Sequence, residues 1–461
     1  MRHQRAAVDK LLPIRLGALF MEMGTGKSRT VIEIVILRQS KIDLVAWFCP
    51  VSLKETVRRE ILKHTDTHPD QIHVFNDKTT SRNIPQVMWH IIGIESIAGS
   101  TRIALAVRSL MTENSMAIVD ESSYIKGHRA IRTQRITAFA EICRYRMLLT
   151  GTPISQGIVD LFAQMRFLSP KILGYQSFYS FAANHLEYSD KYPGMIVRSH
   201  NQKYIAAKIQ PYVYQVTKKE CLNLPAKTYE TRYFKMAANQ RSLYEEAKFR
   251  LLTMLDDDDI GSYAIFKLFG ALQQIISGFW HDNETMQTYW VDNPRLLMLE
   301  ETIEDLPDNE KIVIWSKFEH DILRIRESLT EKYGQDSVAL FYGKLNECDR
   351  NTSVDRFAAG ARFFPATQSC GGHGLTLIQA RYEIFYNNEF KYATRIQAED
   401  RCHRIGQFRD VHCINLACSN SIDDRIMTAL VSKGNVVQQF KAEVDRVKFR
   451  KADLKALIGA L

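Results

Sequence analysis

Three groups of residues have types and spacings suited to chemistry on a phosphate. The first is Met21-Glu22-Met23-Gly24-Thr25-Gly26-Lys27-Ser28. Gly24 and Gly26 free the backbone to curl, so that successive N–H groups can point at one anion. Lys27 can reach β- and γ-phosphates, and the Ser28 hydroxyl can ligate Mg²⁺. A strict P-loop has a small residue where Met21 stands, and glycines also serve simply as turn caps. The second group is Asp120-Glu121, two acids ending the apolar run 117–119. Here Asp120 can hold Mg²⁺, directly or through water, and Glu121 can orient and polarise an attacking water. An ordinary acidic turn with an Asp cap is the plain alternative. The third runs from Gln397 to Gln407, with Gln397, Arg401 and Arg404 at i, i+4 and i+7, the spacing of one helical face. Gly406 would be the stop. Two guanidiniums one turn apart suit a phosphoryl transition state, whose charge spreads over three oxygens. A solvated basic face is the commonplace alternative.

These residues need strand ends to carry them. The apolar run 16–20 reads as a buried strand leading into the glycine turn, and 29–37 reads as the helix after it. Runs at 44–49, 87–93, 116–119 and 146–149, with a helical pattern over 53–63, predict βαβ units on a parallel sheet. Parallel sheets bind ligands beyond the carboxyl ends of their strands, so Asp120 and Glu121 should face the glycine turn. Thr150-Gly151-Thr152 leave a third such strand, where two hydroxyls flanking a glycine would sense phosphate or merely form a turn. Residues 155–215 read as helical and aromatic, and 228–234 as an alternating strand. A second helical stretch, 239–279, is interrupted by the acid run 256–259, most simply a solvated loop. Strand and helix alternation resumes over 311–315, 338–341, 362–364, 382–387 and 411–416. The tail from 433 is helical in pattern and basic. Its Lys448, Arg450 and Lys451 either meet phosphates or ride on a segment that braces the second lobe.

At 461 residues the chain exceeds one ordinary domain, and two α/β lobes with helical additions are predicted. A net charge of +9 favours a polyanionic partner. The eight cysteines contain no Cys-x-x-Cys pair, which argues against a zinc ribbon or a disulfide framework. Cys402, Cys413 and Cys418 near His403 and His412 fit no standard metal spacing. The polar start lacks a signal core, and the strongest apolar run, 31–37, is too short to span a bilayer and contains Glu33. A soluble, cytoplasmic protein without membrane association is the expectation.

In their order the motifs resemble those of superfamily II helicases, specifically the Swi/Snf-type DNA translocases, over nearly the whole chain. Arg2-His3-Gln4 resembles the adenine-reading Q motif, and residues 23–28 motif I. Cys49-Pro50-Val51-Ser52-Leu53 with Glu60 resembles motif Ia. Asp120-Glu121-Ser122-Ser123 with Ile125-Lys126 resembles motif II, with Ser-Ser replacing Ala-His. Leu149-Thr150-Gly151-Thr152-Pro153 resembles motif III, followed by matching Leu161, Phe167, Leu168 and Pro170. Leu224-Pro225-Ala226-Lys227 resembles the entry to the second lobe, and residues 314–318 motif IV. Gly371-Gly372-His373-Gly374-Leu375 resembles motif V, and residues 397–407 motif VI, whose ending Arg404-Ile405-Gly406-Gln407 is its most specific part. The pattern departs at Val57, Ser369 and Thr376, where tryptophan, a basic residue and asparagine are usual.

The resemblance implies two RecA-like parallel-sheet lobes with helical insertions and ATP in the cleft between them. It places lobe 1 at 1–222 with a helical protrusion over about 155–215. Lobe 2 falls at 223–432 with a protrusion over about 239–285, and a basic helical tail at 433–461. Gln4, Gly24, Thr25, Gly26, Lys27, Ser28, Arg29 and Gln397 are then the nucleotide-binding residues, with Ser28 and Asp120 toward Mg²⁺. Lys27, Asp120, Glu121, Arg401 and Arg404 are the catalytic ones. Thr150, Gly151, Thr152, Gly372 and Gly374 couple ATP to movement. The implied activity is DNA-stimulated ATP hydrolysis driving translocation on double-stranded DNA, which remodels protein–DNA or branched DNA structures. Single-stranded DNA or RNA are the alternative tracks, and a protein partner is left open. A strand-separating helicase and a binding module without turnover are the competing functions. So little beyond the motor core suggests the compact enzymes of phages, prophages and bacteria.

Overall fold

The computed structural model describes residues 1–154, 157–188, 196–254, 262–281, 287–371, 375–432, 436–447 and 451–461. The chain divides into two compact units, Met1–Asn223 and Leu224–Leu461.

In the first unit the strands are β1 Leu16–Met21, β2 Val45–Cys49, β3 Ile72–Val74, β4 Trp89–Gly93, β5 Met116–Asp120 and β6 Tyr145–Thr150. A hairpin follows, β7 Leu186–Tyr188 with β8 Ile196–Ser199, and then β9 Val213–Val216. Seven of these form one sheet in the order β3-β4-β2-β5-β6-β1-β9, every pair parallel. β2, β4 and β5 are buried at every residue, which is why they read as unbroken apolar runs. The stretch 155–215 is less helical than its pattern predicts. It holds the hairpin and β9, an edge strand with only Val213 and Val216 buried, too short for its alternation to announce it. The register sets Asp120 beside Leu149 and Thr150 beside Phe20. Three loops therefore leave adjacent strands β5, β6 and β1 at one end of the sheet.

The second unit has β10 Lys227–Phe234, the small antiparallel pair β11 Phe279–His281 and β12 Thr288–Trp290, then β13 Ile312–Ser316, β14 Phe363–Thr367, β15 Tyr382–Phe385 and β16 Val411–Cys418. Its main sheet is parallel, in the order β10-β16-β15-β13-β14. The run 338–341 lies beside β14 but makes only isolated bridges, at Val338 and Phe341. Ala339 and Phe341 donate to the carbonyls of Phe363 and Pro365, and Pro365 has no N–H to return. The helices Ala238–Met254 and Ser262–Ile276 fill the predicted helical stretch, while the acid run 256–259 is outside the described residues.

The helices Val436–Val447 and Lys451–Gly459 form the tail. Phe440, Val444, Ile458 and Leu461 join the core built by Phe269, Leu272, Ile422 and Ile426, and Tyr244 donates to the carbonyl of Leu461. Lys448 and Arg450, two of the basic residues singled out there, lie outside the described residues. Among the described residues no helix is long and apolar enough to cross a membrane.

Candidate active site

In the first unit, β1 runs into the glycine loop and the loop into the helix Lys27–Arg38. Gly24 (φ +77°) and Gly26 (φ +88°) both take left-handed backbone, which a side chain disfavours. The Thr25 hydroxyl donates to the Glu22 carbonyl (2.7 Å), closing the turn. Lys27 Nζ folds back onto the carbonyls of Met21 (3.0 Å) and Glu22 (3.4 Å). No side chain caps the helix, so its first-turn N–H groups at Lys27, Ser28 and Arg29 await an outside acceptor.

The N-terminal helix Arg2–Leu11, not foreseen as a helix, props this loop. His3 Nε2 lies 2.8 Å from the Thr25 carbonyl, and Gln4 Nε2 donates to the same oxygen at 3.4 Å. A Cβ on Gly26 would sit 1.9 Å from Gln4 Nε2. Gln4 thus packs on the loop, with its Oε1 accepting from the chain's amino terminus.

At the end of β5, Asp120 and Glu121 are 7% and 8% exposed. Burial, and next the charge of Glu121, push the Asp120 carboxyl up to about 7, against the pull of the Lys27 ammonium. The glycine loop and the acid pair therefore feel each other, as the strand order requires. Glu121 takes left-handed backbone (φ +53°), its N–H donating to Asp120 Oδ1 (3.0 Å). Its buried Oε2 has no hydrogen-bond partner. A carboxylate oxygen held this way at the head of a parallel sheet suits a water or a hydrated cation as its partner.

From β6, Thr150 is fully buried and its Oγ1 accepts from Thr152 N (3.1 Å). Gly151 presses on the glycine loop: a Cβ there would lie 3.3 Å from Met23 N and 3.5 Å from Met21 O. Gln164, on the helix Val159–Leu168, ties the same loop to the acid turn. Its Oε1 accepts from Ser122 Oγ (2.6 Å), and its Nε2 donates to the carbonyls of Pro153 and Asp160 (both 2.8 Å). The sequence does not single out Gln164, because one glutamine among the apolar residues of a buried helix carries no pattern that marks what it bonds.

In the second unit one expectation needs correcting. The helix Tyr392–Glu399 ends before Arg401, so Gln397, Arg401 and Arg404 do not share a helical face. Arg401 N already bonds Ala398 O, a tighter turn than an α-helix, and the chain continues in turns to Gly406 (φ +99°). The two arginines still converge, for Arg401 Nη1 (3.4 Å) and Arg404 Nη1 (3.0 Å) both donate to the Leu375 carbonyl. Gln397 contributes its carbonyl to Arg401 Nε (3.1 Å). Gln407 staples the turn, donating to the carbonyls of Ala380 (2.9 Å) and Ile378 (3.1 Å). Gly372 and Gly374 lie outside the described residues.

Beneath these turns lies an ionic network that the sequence did not announce. Glu399 Oε1 accepts from Arg395 Nε (2.7 Å), and Oε2 from Lys227 Nζ (2.5 Å) and Tyr229 OH (2.8 Å). Arg395 Nη1 reaches Asn388 Oδ1 (2.6 Å) and Asn415 Oδ1 (2.5 Å). Among the described residues no group of three or more His, Cys, Asp or Glu side chains is placed to hold a metal ion.

Comparison with known proteins adds a family. Residues 10–280 match the model of the SNF2-related domain, and 295–406 that of the helicase conserved C-terminal domain. The chain is 26% identical to an uncharacterized ATP-dependent helicase of Mycoplasma genitalium, over 73% of this chain and 31% of that protein. It is also 26% identical to a putative ATP-dependent helicase/translocase of Bacillus subtilis, over 72% of this chain and 36% of that one. It thus spans about a third of the length of these curated relatives. A solved Sulfolobus solfataricus SWI2/SNF2 ATPase core in complex with dsDNA aligns at 20% identity, covering 99% of this chain and 95% of that one, with a TM-score of 0.43. With a family model matched across more than half of its length, the chain belongs to the SNF2-related family.

Proposed function

We propose that this chain is an ATP-hydrolysing motor that translocates on double-stranded DNA. The observation that carries the reading is the grouping at one sheet end of an uncapped helix start, Lys27 and the acid pair, with Glu121 Oε2 buried and unpartnered. Phosphates would be cradled by the N–H groups of the loop over Gly24, Thr25 and Gly26 and of the helix start at Lys27, Ser28 and Arg29. Lys27 would exchange its carbonyl partners for β- and γ-oxygens, and Gln4, which props the loop, would read the adenine edge. Ser28 and Asp120 would hold Mg²⁺, which when bound supplies positive charge to the β- and γ-phosphates. Glu121 would orient the attacking water and take up its proton. Arg401 and Arg404, with Gln397 beside them, would meet charge developing on the transferred phosphoryl.

Thr150, Gly151 and Thr152, pressed on the glycine loop, are the proposed coupling segment; Gly372 and Gly374 belong to it by resemblance. The duplex track is favoured by the net charge of +9 and by the translocase wording of the Bacillus subtilis relative. The test compares ATP hydrolysis on duplex DNA, single-stranded DNA and RNA, then offers a triplex and a forked duplex. Duplex-stimulated hydrolysis, release of the third strand and an intact fork are expected. An opened fork without triplex release would make the chain a strand-separating helicase, and nucleotide binding without hydrolysis would make it a binding module.

A further inference from the structure

We infer that Gln164 is a positioning residue, through which the turn carrying Glu121 and the loop Thr150–Pro153 move as one piece. The inference rests on the ATPase reading above and adds to it a specific mechanical link. Gln164 and Ser122 are fully buried, so the partners of this carboxamide cannot be exchanged for water. Pro153 and Asp160 offer carbonyls, which only accept, and this fixes the NH₂ end toward them. The Oε1 end must then accept, and Ser122 must donate to it. Asp160 belongs to the same helix as Gln164, whereas Ser122 opens the 3-10 turn Ser122–Ile125 after β5 and Pro153 lies in the loop after β6. One amide therefore bonds the residue next to Glu121 to the residue next to Thr152.

The link has a second, independent end. Gly151 sits against Met23 and Met21 with no room to spare, so a shift of the Thr150–Pro153 loop is a shift against the glycine loop. Asp160 also pairs with Lys126, beyond the acid turn, at 3.7 Å. Glycine loop, coupling loop and acid turn thus form one series of contacts, in which Gln164 is the side-chain bond between the last two. Because the left-handed Glu121 has nothing of its own to hold Oε2, its aim depends on the residues that fix its neighbours.

The test uses the full chain with Gln164→Leu, Gln164→Glu, Ser122→Ala and the Ser122→Ala/Gln164→Leu pair. Gln164→Leu should lower duplex-stimulated kcat on the order of tenfold with KM for ATP changed less than about twofold, the split of an interaction that matters in the transition state. Gln164→Glu retains the acceptor for Ser122 but turns a carboxylate oxygen toward the carbonyls of Pro153 and Asp160, so it should not restore the link and should be no faster than Gln164→Leu. The double variant should be no slower than Gln164→Leu, since both changes cut one bond. Hydrogen exchange, which needs no turnover, should quicken in both 121–126 and 150–153 in Gln164→Leu and leave the remaining sheet protected. Unchanged kcat, additive losses in the double variant, or exchange quickened in one loop alone would overturn the link. A wild-type protein that hydrolyses no ATP would count against the ATPase reading, and the exchange result would still decide the link.

Discussion

Glu121 and Glu399 are both buried carboxylates, and their surroundings differ in a way that separates a site from a scaffold. Glu399, 2% exposed, has both oxygens bonded, and although burial pushes its carboxyl up, Arg395 and Lys227 hold it below the usual range. Glu121 has an oxygen with no partner, left-handed backbone, and a like-charged neighbour whose own carboxyl is raised to about 7. A finished polar network contributes to a fold by being complete. An unfinished one costs stability until something binds, which is why such groups gather at functional sites.

The largest expected effect probes the two arginines proposed to meet phosphate. Arg404→Ala and Arg401→Ala should each lower turnover by about 10³-fold or more, with ATP affinity little changed, as for groups that meet charge in the transition state. Rate and affinity measured on each variant decide this, and equal losses in both would assign the arginines to ground-state binding.

Breaking the finished network should act on stability instead. Glu399→Ala strands Lys227 and Arg395 together, and loss of one partner of a buried pair costs about 3–5 kcal/mol. Denaturant titration reads this, and a loss under about 1 kcal/mol would show the network to be no scaffold. Gly26→Ala is smaller, about 1–2 kcal/mol for left-handed backbone on a residue with a Cβ. It should also weaken nucleotide binding by displacing Gln4. Adding Gln4→Ala should relieve the collision but not the strain, which thermal melts of the single and double variants would separate.

A further effect is in pH. Glu383, buried beside Glu399 and bonded by Trp315 Nε1 (3.0 Å), has its carboxyl raised to about 8 by burial and by the Glu399 charge, with Lys227 and Arg395 opposing. Between about 4.5 and 8 the folded chain keeps a proton that the unfolded chain has lost, so this group's stabilisation is full below that window and declines as pH rises through it. Glu383→Gln keeps an acceptor for Trp315 and cannot titrate. Its stability should therefore vary less across that range than that of wild type, and identical pH profiles would contradict the assignment.

Much of this arrangement could be read in residue order, for physical reasons that also mark where the reading stopped. β2, β4 and β5 are buried on both faces, so composition alone reveals them, and the strand-end rule then brings Asp120 toward Lys27. β9 stays hidden, and 338–341 reads as a strand yet makes only isolated bridges, because edge pairing depends on neighbours distant in the chain. The i, i+4, i+7 spacing of Gln397, Arg401 and Arg404 reads as a helix, yet the chain leaves the helix at Glu399, whose side chain is anchored by Lys227 and Tyr229 from β10. No local pattern encodes a tie between residues about 170 positions apart. Gln164 is hidden likewise, since only its surroundings distinguish it.

Glu121→Gln tests the central contrast most directly, through turnover and thermal stability measured on the same preparation. Replacing an unpartnered carboxylate beside Asp120 removes like-charge repulsion and keeps the shape of the side chain. Hydrolysis should fall by about 10²–10⁴-fold, the range of a lost general base, while nucleotide binding persists and the melting midpoint stays level or rises. Turnover close to wild type, or a fall in the midpoint of the kind expected for Glu399→Ala, would place Glu121 in the scaffold and contradict the account.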